Sequence, residues 1–156
     1  MIFAGFLEIE DENVRGASPF FEMFSKKPFD KFLKERIIKY LDNGIFLTGV
    51  MTYVSDDEGK QIGPLTYFTD GKFIWPVYYP YYLKKYSNFI IAPELMAYAQ
   101  LNNYVIPPID PTQLSVIEKE FDAEWRGQWK RKSVQSISPP SSAKYYYKMV
   151  KKDKPL

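Results

Sequence analysis

The chain predicts an α+β fold, an antiparallel meander of three to four strands packed against about four helices. Three observations carry this. Asp70-Gly71 lies between two β-prone runs, and Asp-Gly favours a two-residue hairpin turn because both positions tolerate φ > 0. Apolar residues recur at helical spacing from Pro28 to Asp42. Asp110-Pro111-Thr112-Gln113 has the form of a helix start, with Asp as N-cap and Pro at the first helical position.

Taken in order, Ile2 to Ile9 reads as a first strand, followed by a solvated acidic patch at Glu8, Glu10, Asp11 and Glu12. Phe20, Phe21 and Phe24 anchor a loop. In the helix from Pro28 to Asp42, the apolar stripe is Phe29, Phe32, Leu33, Ile37, Tyr40 and Leu41. Pro28 suits its first position, and Gly44 suits a left-handed cap at its end. Ile45 to Val54 is apolar on both faces apart from Thr48 and Thr52, the pattern of a central strand. Ser55 to Lys60 is a solvated turn with Asp56, Asp57 and Glu58. It lacks the alternate ligand spacing of an EF-hand.

Ile62 to Thr69 returns as the next strand. The turn at Asp70-Gly71 then pairs Phe68 with Phe73 and Thr66 with Trp75, and Pro76 ends the strand. A short helix follows from about Pro80 to Tyr86. Two readings compete for its aromatic residues: a core of buried rings with hydroxyls near water, or an interface. Phe68, Phe73 and Trp75 are read as core, while Tyr78 and Tyr79 form an outer edge. Further helices run from Pro93 to Asn102 and from Pro111 to about Lys130, the second with Leu114, Ile117, Phe121 and Trp125 on its main face. Residues 1-132 read as one domain. Residues 133-156 read as a Ser/Pro-rich, then basic and aromatic tail, with a late strand at Tyr145 to Val150 as one option.

Composition bounds the chemistry. The chain has 156 residues, net charge +2, 18% aromatic residues, and neither Cys nor His. Disulfides, thiolate nucleophiles, Cys-based zinc sites and Ser-His-Asp catalysis are excluded. Near-neutral charge gives no global pull toward nucleic acid or a membrane. The N-terminus lacks the basic region of a signal peptide, and no run has the length to span a bilayer. A cytoplasmic protein without cofactor or metal is expected.

The segments RIIKYLDNGIFL, PLTYFTDGKFIWPVYYPYYLKKY and APELMAYAQLNNYVIP together resemble a bacterial family of small cytoplasmic proteins. Its shared pattern is a helix ending in Tyr-Leu, a meander, a Thr-Asp-Gly-x-Trp-x-Trp-Pro hairpin, then Tyr-Tyr-Leu and a helix ending before Pro. The matching residues are Tyr40, Leu41, Gly44, Thr69, Asp70, Gly71, Trp75, Pro76, Tyr81, Tyr82 and Leu83, with Phe73 where the pattern has Trp. Many members look like immunity or toxin-neighbour proteins. The resemblance implies a non-enzymatic protein that neutralises a cognate toxin by occlusion. The expected partner-binding residues are Asp56, Asp57, Glu58, Tyr78 and Tyr79. One alternative is a nucleic-acid- or scaffold-binding module using the basic tail. Another is an enzyme using Glu118, Glu120, Asp122 and Glu124, which lie mostly on the solvent face of their helix.

Overall fold

The computed structural model describes residues 1–11 and 14–134. Its elements are β1 (Ile2–Phe3), α1 (Glu8–Asp11), a 3-10 turn (Phe20–Met23), α2 (Lys31–Asp42), β2 (Ile45–Ser55), β3 (Gln61–Thr69), β4 (Phe73–Pro76), α3 (Tyr78–Lys85), α4 (Pro93–Leu101) and α5 (Pro111–Val134). The α+β fold is as expected. The strands are ordered β1-β4-β3-β2, with β2, β3 and β4 forming the antiparallel meander. The fourth strand differs from expectation, because β1 joins β4 in parallel. The tail after Val134, including Tyr145 to Val150, lies outside the described residues.

The first strand is far shorter than the sequence suggests. Gly5 takes φ +69, and a Cβ there would lie 2.1 Å from the Tyr79 ring. The chain therefore bends over that ring, a path open to glycine alone. It then forms α1 instead of continuing as strand.

Helix α2 begins later than Pro28. Asp30 is its N-cap, and the Asp30 carboxylate accepts the Leu33 N–H at 3.0 Å. Ile37, Tyr40 and Leu41 are buried as the stripe predicts, but Phe32 is 78% exposed. The stripe meets the core only along the later turns of the helix. Gly44 is not a left-handed cap, since its φ is not positive. A Cβ at Gly44 would sit 2.3 Å from the Trp75 ring. Glycine is required there by close packing.

The β3–β4 hairpin closes one step later than Asp70-Gly71. Phe68 faces Trp75 and Thr69 faces Ile74, so Gly71 and Lys72 occupy the turn. Asp70 is buried and caps the turn with its side chain, accepting N–H groups from Lys72 at 2.9 Å and Phe73 at 2.7 Å. The displacement is an even number of positions, so each residue keeps its face.

Strand β2 is an edge strand, not a central one. Along β3 burial alternates: Leu65, Tyr67 and Thr69 point to the core, and Ile62, Pro64, Thr66 and Phe68 point outward. Helix α5 covers the core side, where Phe121 packs on Tyr67 at 4.6 Å between ring centroids. Asp110 caps α5 through the Gln113 N–H, as the sequence predicts. On the opposite side Tyr40 of α2 packs on Trp75 of β4, at 6.4 Å between ring centroids.

Candidate functional site

The five expected partner-binding residues separate into two places. Tyr78 and Tyr79 are both fully buried. They form no outer edge, because Pro76 ends β4 and α3 starts at once, turning both rings inward. Tyr79 donates to the Ile90 carbonyl at 3.1 Å and accepts the Ala92 N–H at 2.9 Å, which ties α3 to the start of α4. Tyr78 donates to Asp11 at 2.7 Å.

Asp11 is the residue that sequence reasoning missed. The sequence reads as a solvated acidic patch there, yet Asp11 is fully buried. Its two carboxylate oxygens accept from Tyr67 and Tyr78, each at 2.7 Å. Tyr67 also accepts the Trp125 indole N–H at 3.2 Å, and Tyr78 accepts the Leu7 N–H at 3.0 Å. One carboxylate thus joins α1, β3, α3 and α5. Burial, then the charge of Asp11, pushes the Tyr67 and Tyr78 phenols well above their ordinary value. Burial and the same charge raise Glu10 to about 7. The partners of Asp11 lie more than fifty positions away in sequence, so no local pattern announces them.

The acidic turn is not solvated either. Asp56 and Asp57 are buried, and of the three acids Glu58 alone has an exposed side chain. All three converge on Lys85 of α3, at 2.9, 2.7 and 3.0 Å. Asp56 further accepts from Tyr81 at 2.6 Å and from the Glu58 and Lys60 N–H groups. Tyr86 donates to Asp57. Burial pushes Asp56 up, but bonds from Tyr81, Lys85 and the turn backbone outweigh it and hold Asp56 at about 2. Burial and the Asp56 bond push Tyr81 up to about 12. The turn is a clamp that fixes the far end of the β2–β3 hairpin to α3. A fourth buried carboxylate, Asp70, accepts from Tyr40 at 2.8 Å and ties α2 to the β3–β4 turn.

These networks use hydroxyls, lysine and backbone groups to satisfy carboxylates. Among the described residues no group of three or more acidic side chains is arranged to hold a metal ion, and no helix is long and apolar enough to cross a membrane. These carboxylates are turned inward, and several large apolar side chains reach the surface among the exposed charged residues. Phe32 and Leu33 are exposed at the start of α2. One turn on, Arg36 lies over the Tyr104 ring at 5.3 Å, which places α2 beside the end of α4, where Leu101 and Val105 are exposed. On the other flank, β2 exposes Phe46, Met51 and Tyr53. No protein-family model matches the chain, and no curated protein or solved structure is detectably similar to it.

Proposed function

We propose that this chain is a non-enzymatic binding protein that neutralises a cognate bacterial toxin by covering the toxin's active site. The supporting observation is how its ionisable side chains are used. Asp11, Asp56, Asp57 and Asp70 are each held by internal donors, while large apolar side chains face solvent. The sequence resemblance to immunity-type proteins supports the same reading.

The contact surface assigned to the toxin is the α2–α4 flank: Phe32, Leu33, Arg36, Leu101 and Val105. Aromatic, Leu and Arg side chains among charged neighbours resemble the apolar core and polar rim of protein interfaces. Tyr78 and Tyr79 cannot serve there from their buried positions, and of the three acids of the turn Glu58 alone offers its side chain to a partner.

The test is co-expression with the product of the neighbouring gene. A complex that protects cells is expected. In that complex Phe32→Lys should weaken binding at least tenfold, as loss of a central anchor does. A chain that neither co-purifies with the neighbouring product nor protects cells overturns the reading.

A further inference from the structure

Charge is unevenly spread along the chain. Before Arg126 there are 12 basic and 18 acidic residues, and six of those bases lie between Ser25 and Asp42, among three acids. The other six bases stand against 15 acids. The remaining nine basic residues follow Trp125. The stretch that contains α2 is thus a local excess of positive charge in a body that is otherwise acidic.

The lysines and arginines of the body are used in two ways. Lys34 donates to the Tyr86 carbonyl, Lys84 pairs with Asp42, and Lys85 holds the acidic turn. Lys31, Arg36 and Lys39 of α2 are exposed and form no ion pair among the described residues. At 3.6 residues per turn, Phe32, Arg36 and Lys39 fall within about 60° of one another on the outward face, flanked by Lys31 and Glu35. Glu35 is the single acid between Lys31 and Lys39. Residues 95–109, which contribute the neighbouring end of α4, contain no charge at all, so α2 sets the sign of this flank.

The flank is also held in place. Asn103 and Tyr104, just after α4, take φ 52 and 57, the left-handed region that non-glycine residues seldom enter. Such strain persists only where the surroundings impose it. Here the Tyr104 N–H donates to the Ala99 carbonyl at 2.7 Å, and the ring lies under the Arg36 guanidinium. Arg36 is therefore oriented before a partner arrives, which lowers the ordering cost of binding.

Charge and shape identify the occupant. A membrane-bound helix lays its apolar face into the lipid. The apolar face of α2, with Ile37, Tyr40 and Leu41, is instead buried in the core. What points outward is Phe32 among cations, which fits an apolar recess in an acidic protein surface.

We propose that the α2 flank binds an acidic face of its partner, with Phe32 seated in an apolar recess and Lys31, Arg36 and Lys39 paired with carboxylates around it. This rests on the toxin-binding reading and specifies its chemistry. The cleft covered on the toxin is lined by carboxylates, unlike the basic cleft of an enzyme that binds nucleic acid.

Association and dissociation rates of the full chain with the product of the neighbouring gene test it. Association should slow at least tenfold between about 20 and about 300 mM salt. Glu35→Lys adds a cation at an exposed position and should speed association about threefold, a gain that a damaged fold cannot produce. Lys31→Glu combined with Lys39→Glu should slow association at least tenfold and leave dissociation within about twofold. Phe32→Ala should instead speed dissociation at least tenfold. A complex whose association ignores salt, or is slowed by Glu35→Lys, overturns the acidic partner and leaves the toxin-binding reading standing. Absence of any complex overturns both. Binding to phosphatidylglycerol vesicles in place of the protein, abolished by Lys31→Glu with Lys39→Glu, also overturns the proposal, in favour of an anionic membrane.

Discussion

The Asp11 network and the Asp56–Asp57–Lys85 clamp solve one problem in opposite ways. Each takes carboxylates out of water. Asp11 is held by neutral phenols in the centre of the molecule, with an unfavourable second acid, Glu10, beside it. Asp56 and Asp57 are held by a cation and backbone N–H groups near the rim. In the first, burial and then the proximity of Asp11 raise the pKa of Glu10. In the second, charge-assisted bonds depress a pKa. A buried acid in this fold is therefore either a structural hinge or an ionic staple, according to its donors.

The comparison can be broken most severely at Asp11. Asp11→Ala leaves two buried phenols without their acceptor, and each unsatisfied group costs about 1–3 kcal/mol. A loss of about 4 kcal/mol is expected in urea unfolding, larger than for any other single carboxylate here.

The pH dependences should run in opposite directions. Glu10 is raised in the folded state, so its contribution is intact below its unfolded value near 4.5 and is lost as pH rises toward about 7. Glu10→Gln removes that penalty and should stabilise the protein at pH 8 by up to about 3 kcal/mol, with little change at pH 4. Asp56 is depressed, so its contribution is present above its unfolded value near 3.8 and is lost as pH falls toward about 2. Thermal midpoints across pH 2–8 should show both slopes, and Glu10→Gln should abolish only the upper one.

At the clamp, Lys85→Met removes the cation and leaves Asp56 and Asp57 buried beside each other. A loss of about 2 kcal/mol is expected, below the full cost of an uncompensated buried pair because tyrosine and backbone donors remain. The smallest effect belongs to Glu58. It touches the same lysine but is 59% exposed, so Glu58→Gln should change stability by less than about 0.5 kcal/mol. A large effect there would show that the clamp works as one charge cluster rather than through its two buried members.

Much of the architecture was legible before any coordinates. The meander, the Asp110 cap and the Ile117–Phe121 face of α5 all follow from local rules of turn, cap and period. The failures share a cause. Tyr78 and Tyr79 carry the same side chain as a surface anchor would, and only their position after Pro76 turns them inward. Strand β2 reads as central because it is apolar on both faces, yet its place in the sheet is the edge. An apolar strand looks the same in sequence whether its outer face meets a helix, a second copy or solvent.

The sequence by itself determined most of the elements from α2 onward, because turns, caps and apolar periods act over a few residues, whereas the packing of Gly5 on Tyr79 cut the first strand short. The sequence also set the classes of chemistry open to the chain, since neither His nor Cys is present. Only the tertiary structure decided what each acid does. Asp11 meets Tyr67 and Tyr78, and Asp56 and Asp57 meet Lys85, across separations that no local rule spans. Whether a carboxylate is solvated, stapled or shared between phenols depends on donors that the fold delivers from elsewhere in the chain.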